Sequence, residues 1–134
     1  MGMKRKTKLI IIISAGVLMA FLIFCLAFIQ GILNFGRVTE IKSNIKSFAL
    51  SAQLYEGEYG HFPVTIDQIV RSETDPGRQQ HLTEMLHDKY HDTYEYKLVT
   101  NGMEFKVTGP RSLFITWTTV EMKFDLKGKD VSPP

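Results

Sequence analysis

The sequence predicts an α+β chain: a long amino-terminal helix begins in a membrane, continues as an amphipathic helix and packs on a small antiparallel β-sheet. Three observations carry this expectation. The chain opens with a long uncharged run, an apolar stripe at helical spacing follows it, and alternating apolar residues flank an Asn-Gly pair further on.

Lys4, Arg5, Lys6 and Lys8 precede Leu9–Ile29, a run of 21 residues without charge, and the next charged residue is Arg37. At about 1.5 Å per residue this run spans roughly 31 Å as a helix, close to the roughly 30 Å of a hydrocarbon core. A cleaved secretory signal has a shorter apolar stretch and a small-x-small cleavage site, which Ala27-Phe28-Ile29 does not supply. Cys25 suggests a lipidated cysteine; Leu22 fits such a site, but Phe24 stands where a small residue belongs. The expected organisation is therefore a cytoplasmic basic segment over 1–8, a transmembrane signal anchor over 9–29 and an extracytoplasmic α+β domain over 30–134. The four early cations place the amino terminus in the cytoplasm, with a single pass through the cell (inner) membrane and the lipid bilayer as first partner.

At 134 residues there is room for one small domain beyond the anchor. From Arg37 onward 12 Lys and Arg face 14 Asp and Glu, so the formal +2 of the whole chain comes from the basic flank of the anchor. No nucleic-acid partner is implied by that balance. The single cysteine lies in the apolar run, so the outer domain is expected to hold together by its own core without a disulfide.

Val38, Ile41, Ile45, Phe48, Ala52 and Tyr55 recur at spacings of three and four, forming one seam of a helix, while Glu40, Lys42, Lys46 and Gln53 fall off it. No proline interrupts Thr7 to Gly60, although Gly31 and Gly36 weaken the junction. With only about two and a half heptads, the seam is expected to pack on the domain's own sheet rather than in a coiled coil.

The phrase YEGEYGHFPVT then breaks the helix. Gly57 and Gly60 are expected to close it in the left-handed conformation, and Pro63 forbids its continuation while pushing Phe62 towards an extended backbone. Phe62 and Tyr59 can fold back on the seam, and Thr65 or Asp67 can cap a short turn carrying Ile66, Ile69 and Val70.

Residues 71–93 are polar. Asp75-Pro76-Gly77 reads as a turn, after which Leu82, Met85, Leu86 and Tyr90 suggest a short helix ending near His91. Tyr94, Tyr96 and Leu98, then Met103, Phe105 and Val107, alternate on either side of Asn101-Gly102, the dipeptide of a two-residue hairpin turn. Gly109-Pro110 is expected to end that hairpin. Leu113 to Asp125 should supply one or two further strands, and Lys127-Gly128-Lys129 should turn the chain into a frayed Pro-Pro tail. A meander of three or four strands covered on one face by the helix is the simplest arrangement.

Tyr55, Gly60, Phe62, Pro63 and Thr65, followed by Ile66 and Ile69, resemble the Y-x4-G-x-[YF]-P-x-[ST]-L-x2-L signature that ends the long helix of major-class type II secretion pseudopilins and related type IV pilin-like proteins. Met122 to Gly128 is similar to the final strand and turn of such domains, F-x-[hydrophobic]-D-x-x-G, shortened by one residue. The resemblance implies a pilin-like fold. It also implies a structural or accessory role in a type II secretion or type IV pilus-like system, through contacts with other pilin-like or secretion-platform proteins. The family's amino-terminal leader is not matched: Lys8 runs straight into Leu9-Ile10-Ile11-Ile12-Ile13, with neither the cleavage glycine nor a carboxylate in the membrane. A membrane-anchored accessory or divergent pseudopilin is therefore expected rather than a bulk filament subunit, since an unprocessed chain would draw four cations into lipid at high cost.

Catalytic and cofactor readings find little support. His87 and His91 lie four apart in HDKYH, but a zinc peptidase motif needs Glu where Asp88 stands, and a third ligand would have to come from His81, His61 or a distant acid. Gly57-x-x-Gly60 lacks the lysine of a phosphate-binding loop, and Glu56 and Glu58 read as a solvated loop. The resemblance brings calcium to mind, but Thr108-Gly109-Pro110-Arg111 has arginine where the family's loop supplies an oxygen ligand. No cofactor, metal or enzymatic activity is expected. The alternative function is a membrane-tethered extracytoplasmic binding or sensor module that reuses the fold.

Overall fold

The computed structural model describes residues 2–87, 91–110 and 117–134. Helix α1 (Gly2–Tyr59) is followed by α2 (Ile66–Ser72), α3 (Pro76–Leu86), and strands β1 (Thr93–Val99), β2 (Gly102–Pro110) and β3 (Trp117–Asp125). The chain divides into two compact units, one ending at Phe35 and the other running from Gly36 to Pro134.

The first unit is helical throughout its described part, and its side chains from Leu9 to Ile29 are almost all exposed. Among the described residues α1 is the one helix long and apolar enough to cross a membrane. Within it, the Ser14 hydroxyl donates to the Ile10 carbonyl at 2.8 Å, so its polar group is satisfied by the helix itself. This unit is compatible with a single-pass membrane anchor.

The second unit is α+β. Its three strands form one antiparallel sheet in the order β1-β2-β3. Strand alternation sends Tyr94, Val107 and Val120, then Tyr96, Phe105 and Met122, then Leu98, Met103 and Phe124, to one face in three cross-strand rows. Ile41, Ile45, Phe48, Ala49 and Ala52 of α1 join that face in one core, with Ile69 of α2 and Leu82 and Met85 of α3. Rings interlock there: Phe48 lies 5.6 Å from Tyr94, Tyr96 5.0 Å from Phe105, and Phe105 meets Phe124 edge-on at 5.9 Å. Each such side chain contributes about 1.5–3 kcal/mol by leaving water.

Several local expectations change. Gly57 stays helical, and Gly60 alone turns left-handed at φ +76, still donating to the Glu56 carbonyl at 2.8 Å. Asp75-Pro76-Gly77 starts a helix instead of making a turn. The Asp75 carboxylate accepts from Arg78 N–H at 2.9 Å, and Pro76 occupies the first helical position, where a missing N–H does no harm. That helix ends at Leu86, with His87 as its cap; Tyr90 lies outside the described residues. In the hairpin, Val99 pairs with Gly102, so the two loop residues are Thr100 and Asn101 and the glycine is the first residue of β2. A side chain at Gly102 would run into the Phe124 carbonyl, which explains the glycine better than the turn does.

β2 ends at Pro110, as expected of Gly109-Pro110, and these two residues pair with Thr118 and Trp117. Of the stretch from Leu113, residues 113–116 lie outside the described residues, and the remainder forms β3. Lys127-Gly128-Lys129 makes the expected turn, and Val131 and Ser132 then fold back on β3 before the Pro-Pro tail. Asp125 takes the N–H groups of Lys127 and Lys129 on one carboxylate oxygen at 2.9 Å each, Gly128 turns at φ +74, and Val131 N–H returns to the Lys123 carbonyl at 2.8 Å. The Ser132 hydroxyl and N–H then hold the Asp130 carboxyl below the usual carboxylate range.

Candidate functional site

The corner after α1 is built by four hydrogen-bonded devices in a row. Gly60 releases the helix. Pro63 is fully buried, and its carbonyl accepts the Tyr96 hydroxyl at 2.8 Å, tying the corner to the middle of β1. Thr65, not Asp67, caps α2, accepting from Gln68 N–H at 3.3 Å, while Gln68 reaches back to accept from Val64 N–H at 2.7 Å. This is a capping box stretched by one residue. Asp67 sits in the first turn and pairs with Arg71 at 2.8 Å on the exposed side.

The aromatic residues of the corner divide. Phe62 is half-buried against the core, whereas Tyr59 remains half exposed and stacks on Tyr55 with ring centroids 4.5 Å apart. Tyr55 also meets His61 edge-on at 5.6 Å. Thus the last seam residue, Tyr55, belongs to a surface cluster, while Ile41, Ile45, Phe48 and Ala52 are buried and Val38 is partly so. Tyr59 cannot reach the core because it lies beyond the last turn that faces the sheet.

Burial pushes the Tyr96 phenol up from 10.0 to about 12. The folded state therefore holds this proton more tightly than the unfolded chain does, so the stabilisation is full below pH 10 and is lost as pH rises from about 10 towards 12. Tyr96→Phe is expected to flatten that part of the pH–stability curve in urea titrations and to cost about 1 kcal/mol at neutral pH through the lost bond to Pro63. An unchanged alkaline limb would contradict the assignment.

The structure adds a feature that sequence reasoning missed. Arg37 and Asp92 form a buried ion pair, Arg37 Nη2 to Asp92 Oδ2, with side-chain exposures of 5% and 0%. Arg37 also donates to Glu40 at 3.1 Å. Asp92 lies against Gly109, where any side chain would collide with its carboxylate. The available signal was that Arg37 precedes Ile41 by four residues, on the seam side of the helix; Asp92 carried none.

Opposite the seam, α1 exposes Glu40, Lys42, Lys46, Leu50, Leu54 and Glu58. Leu50 and Leu54 are about half exposed, at 54% and 49%, and lie one turn apart. Beside Leu50 a cleft of about 260 Å³ opens between α1 and the carboxy-terminal turn, floored by Ala49 and Phe124. Among the described residues no three His, Cys, Asp or Glu side chains converge to hold a metal ion. His87 and His91 are exposed, while Asp88 of the HDKYH segment and Arg111 of the calcium-loop comparison lie outside the described residues. Comparison with family models, curated proteins and solved structures finds no match to this chain.

Proposed function

We propose that this chain is a single-pass membrane-anchored, pilin-like protein related to the pseudopilins. On this reading it is a structural or accessory component of a type II secretion or type IV pilus-like system, and it acts through protein–protein contacts without catalysis. The corner carries the proposal. A helix apolar enough to cross a membrane ends on a left-handed Gly60, and a fully buried Pro63 is held by the Tyr96 hydroxyl. The residues that build it, Tyr55, Gly60, Phe62, Pro63 and Thr65, are those of the signature. The basic flank over 1–8 supports a cytoplasmic amino terminus in the cell (inner) membrane, with the Gly36–Pro134 unit outside.

The working surface on this reading is the exposed side of α1 around Lys46 and Leu54. Photo-cross-linking in cells from either position is expected to capture other pilin-like or secretion-platform proteins, identified by mass spectrometry. Capture only of unrelated envelope proteins would sink the assembly role and favour a tethered binding or sensor module.

A further inference from the structure

The face of the sheet turned away from the core has a regular charge pattern. Each strand carries a Glu-x-Lys triplet: Glu95 and Lys97, Glu104 and Lys106, Glu121 and Lys123. Antiparallel pairing turns these triplets into two rows across the sheet, Glu95–Lys106–Glu121 and Lys97–Glu104–Lys123. Every charge has opposite charges beside it, as in the 3.0 Å pair between Lys123 and Glu104. Five of the six residues are exposed and Glu104 is half-buried. They floor a shallow depression of about 420 Å³.

We propose that two copies of this chain associate face to face through these surfaces, about a two-fold axis lying between the sheets and perpendicular to the strands. That operation exchanges the two rows. Glu95 then faces Lys97 of the second copy, Lys106 faces Glu104, and Glu121 faces Lys123, with the same pairs repeated by symmetry. The flanking rows agree: Thr119 falls opposite Asp125 of the second copy, and Thr108 opposite Gly102. A two-fold axis along the strands instead sets Glu95 against Glu121 and Lys106 against itself. The charges thus select one of the two face-to-face dimers. Shape permits it too, because a twisted sheet is a saddle, and a half-turn about this axis places a parallel saddle above it at constant spacing.

Three strands about 4.8 Å apart and four rows about 6.8 Å apart give a contact on the order of 400 Å² per copy. A standard interface buries about 800 Å² per partner, so this association is weak and sensitive to salt. It does not depend on the assembly role, since a tethered module would make the same contact.

The test uses the full chain in detergent, with one chain per micelle, followed by sedimentation equilibrium. Wild type is expected to dimerise at low ionic strength and to dissociate in high salt. Glu121→Lys alone and Lys123→Glu alone each turn two of the six facing pairs repulsive and should weaken dimerisation by about tenfold or more. An equimolar mixture of the two variants restores attraction at both sites and should dimerise again, with circular dichroism showing both variants folded. A wild type that stays monomeric, or dimerisation indifferent to both reversals, or a mixture that fails to recover, overturns the proposal. Indifference would assign self-association to another surface, such as the apolar helix.

Discussion

Asp92→Ala is expected to destabilise the Gly36–Pro134 unit by about 3–5 kcal/mol, the usual cost of stranding one half of a buried ion pair. The Arg37 side chain is only 5% exposed, and its contact with Glu40, which is 55% exposed, is a weaker, solvated one. Removing Asp92 takes the fully buried carboxylate away from a cation in a place from which water is largely excluded. The paired change Arg37→Met with Asp92→Leu removes both charges and should cost far less than either single change, because neither group is then left to be solvated by a core that cannot do it. Gly109→Ala reaches the same pair from the sheet side, since its methyl group would occupy the position of the Asp92 carboxylate. For a unit of this size each kcal/mol moves the thermal midpoint by roughly 4–8 °C, so the single change is readily seen by thermal melting in detergent. A loss for Asp92→Ala below about 1 kcal/mol, or a double variant as damaged as the single one, would refute this account.

The ion pair also explains how a helix with a hydrophobic seam finds its place on the sheet. Apolar packing of Ile41, Ile45 and Phe48 tolerates small slips along the helix axis; a buried ion pair tolerates them less, because a displaced Arg37 moves out of reach of Asp92. Arg37 comes one residue before the seam begins, and Asp92 one residue before β1 begins. The pair pins the start of the outer helix to the start of the sheet, while the bond from Tyr96 to Pro63 pins the helix's other end. Between these two fixed points the apolar seam has one register.

What the sequence revealed follows from the range of the forces involved. The seam was legible because the helical period is local, and the hairpin was legible because two neighbouring strands alternate around one turn. The role of Gly102 was misread because its reason is a strand met later: the Phe124 carbonyl on β3 forbids a side chain there. Asp75-Pro76 was misread because the same two residues suit a turn and a helix start, and only the packing of Leu82 and Met85 decides between them. The Arg37–Asp92 pair joins residues 55 apart, and no local pattern announces it. The charged outer face was hidden for a related reason: three Glu-x-Lys triplets look unremarkable until the register places them side by side. At the corner, Gly60, Phe62, Pro63 and Thr65 were legible individually, but Tyr96, the residue that holds Pro63, was not.

The seam and the surface proposed for contacts lie on one helix, and two substitutions separate them. Phe48→Ala removes a ring with no exposure that packs 5.6 Å from Tyr94 in the centre of the core, and is expected to cost about 3–5 kcal/mol of stability. The space it leaves is walled by Ile45, Ala52 and the sheet, which are already packed and collapse only in part. Leu50→Ala, two residues on, removes a side chain that is more than half exposed, and should change stability by about 0.5 kcal/mol or less. Because Leu50 lines the cleft beside the carboxy-terminal turn, its loss should nevertheless reduce cross-linking from Lys46 and Leu54, if that face is the one that partners meet. Phe48→Ala should reduce the same cross-linking only in proportion to the fraction unfolded. Urea titration and cross-linking yield, measured on the same variants, therefore distinguish the fold from the contact. A Leu50→Ala protein with full stability and full cross-linking would show that this face of the helix is solvent-exposed and nothing more.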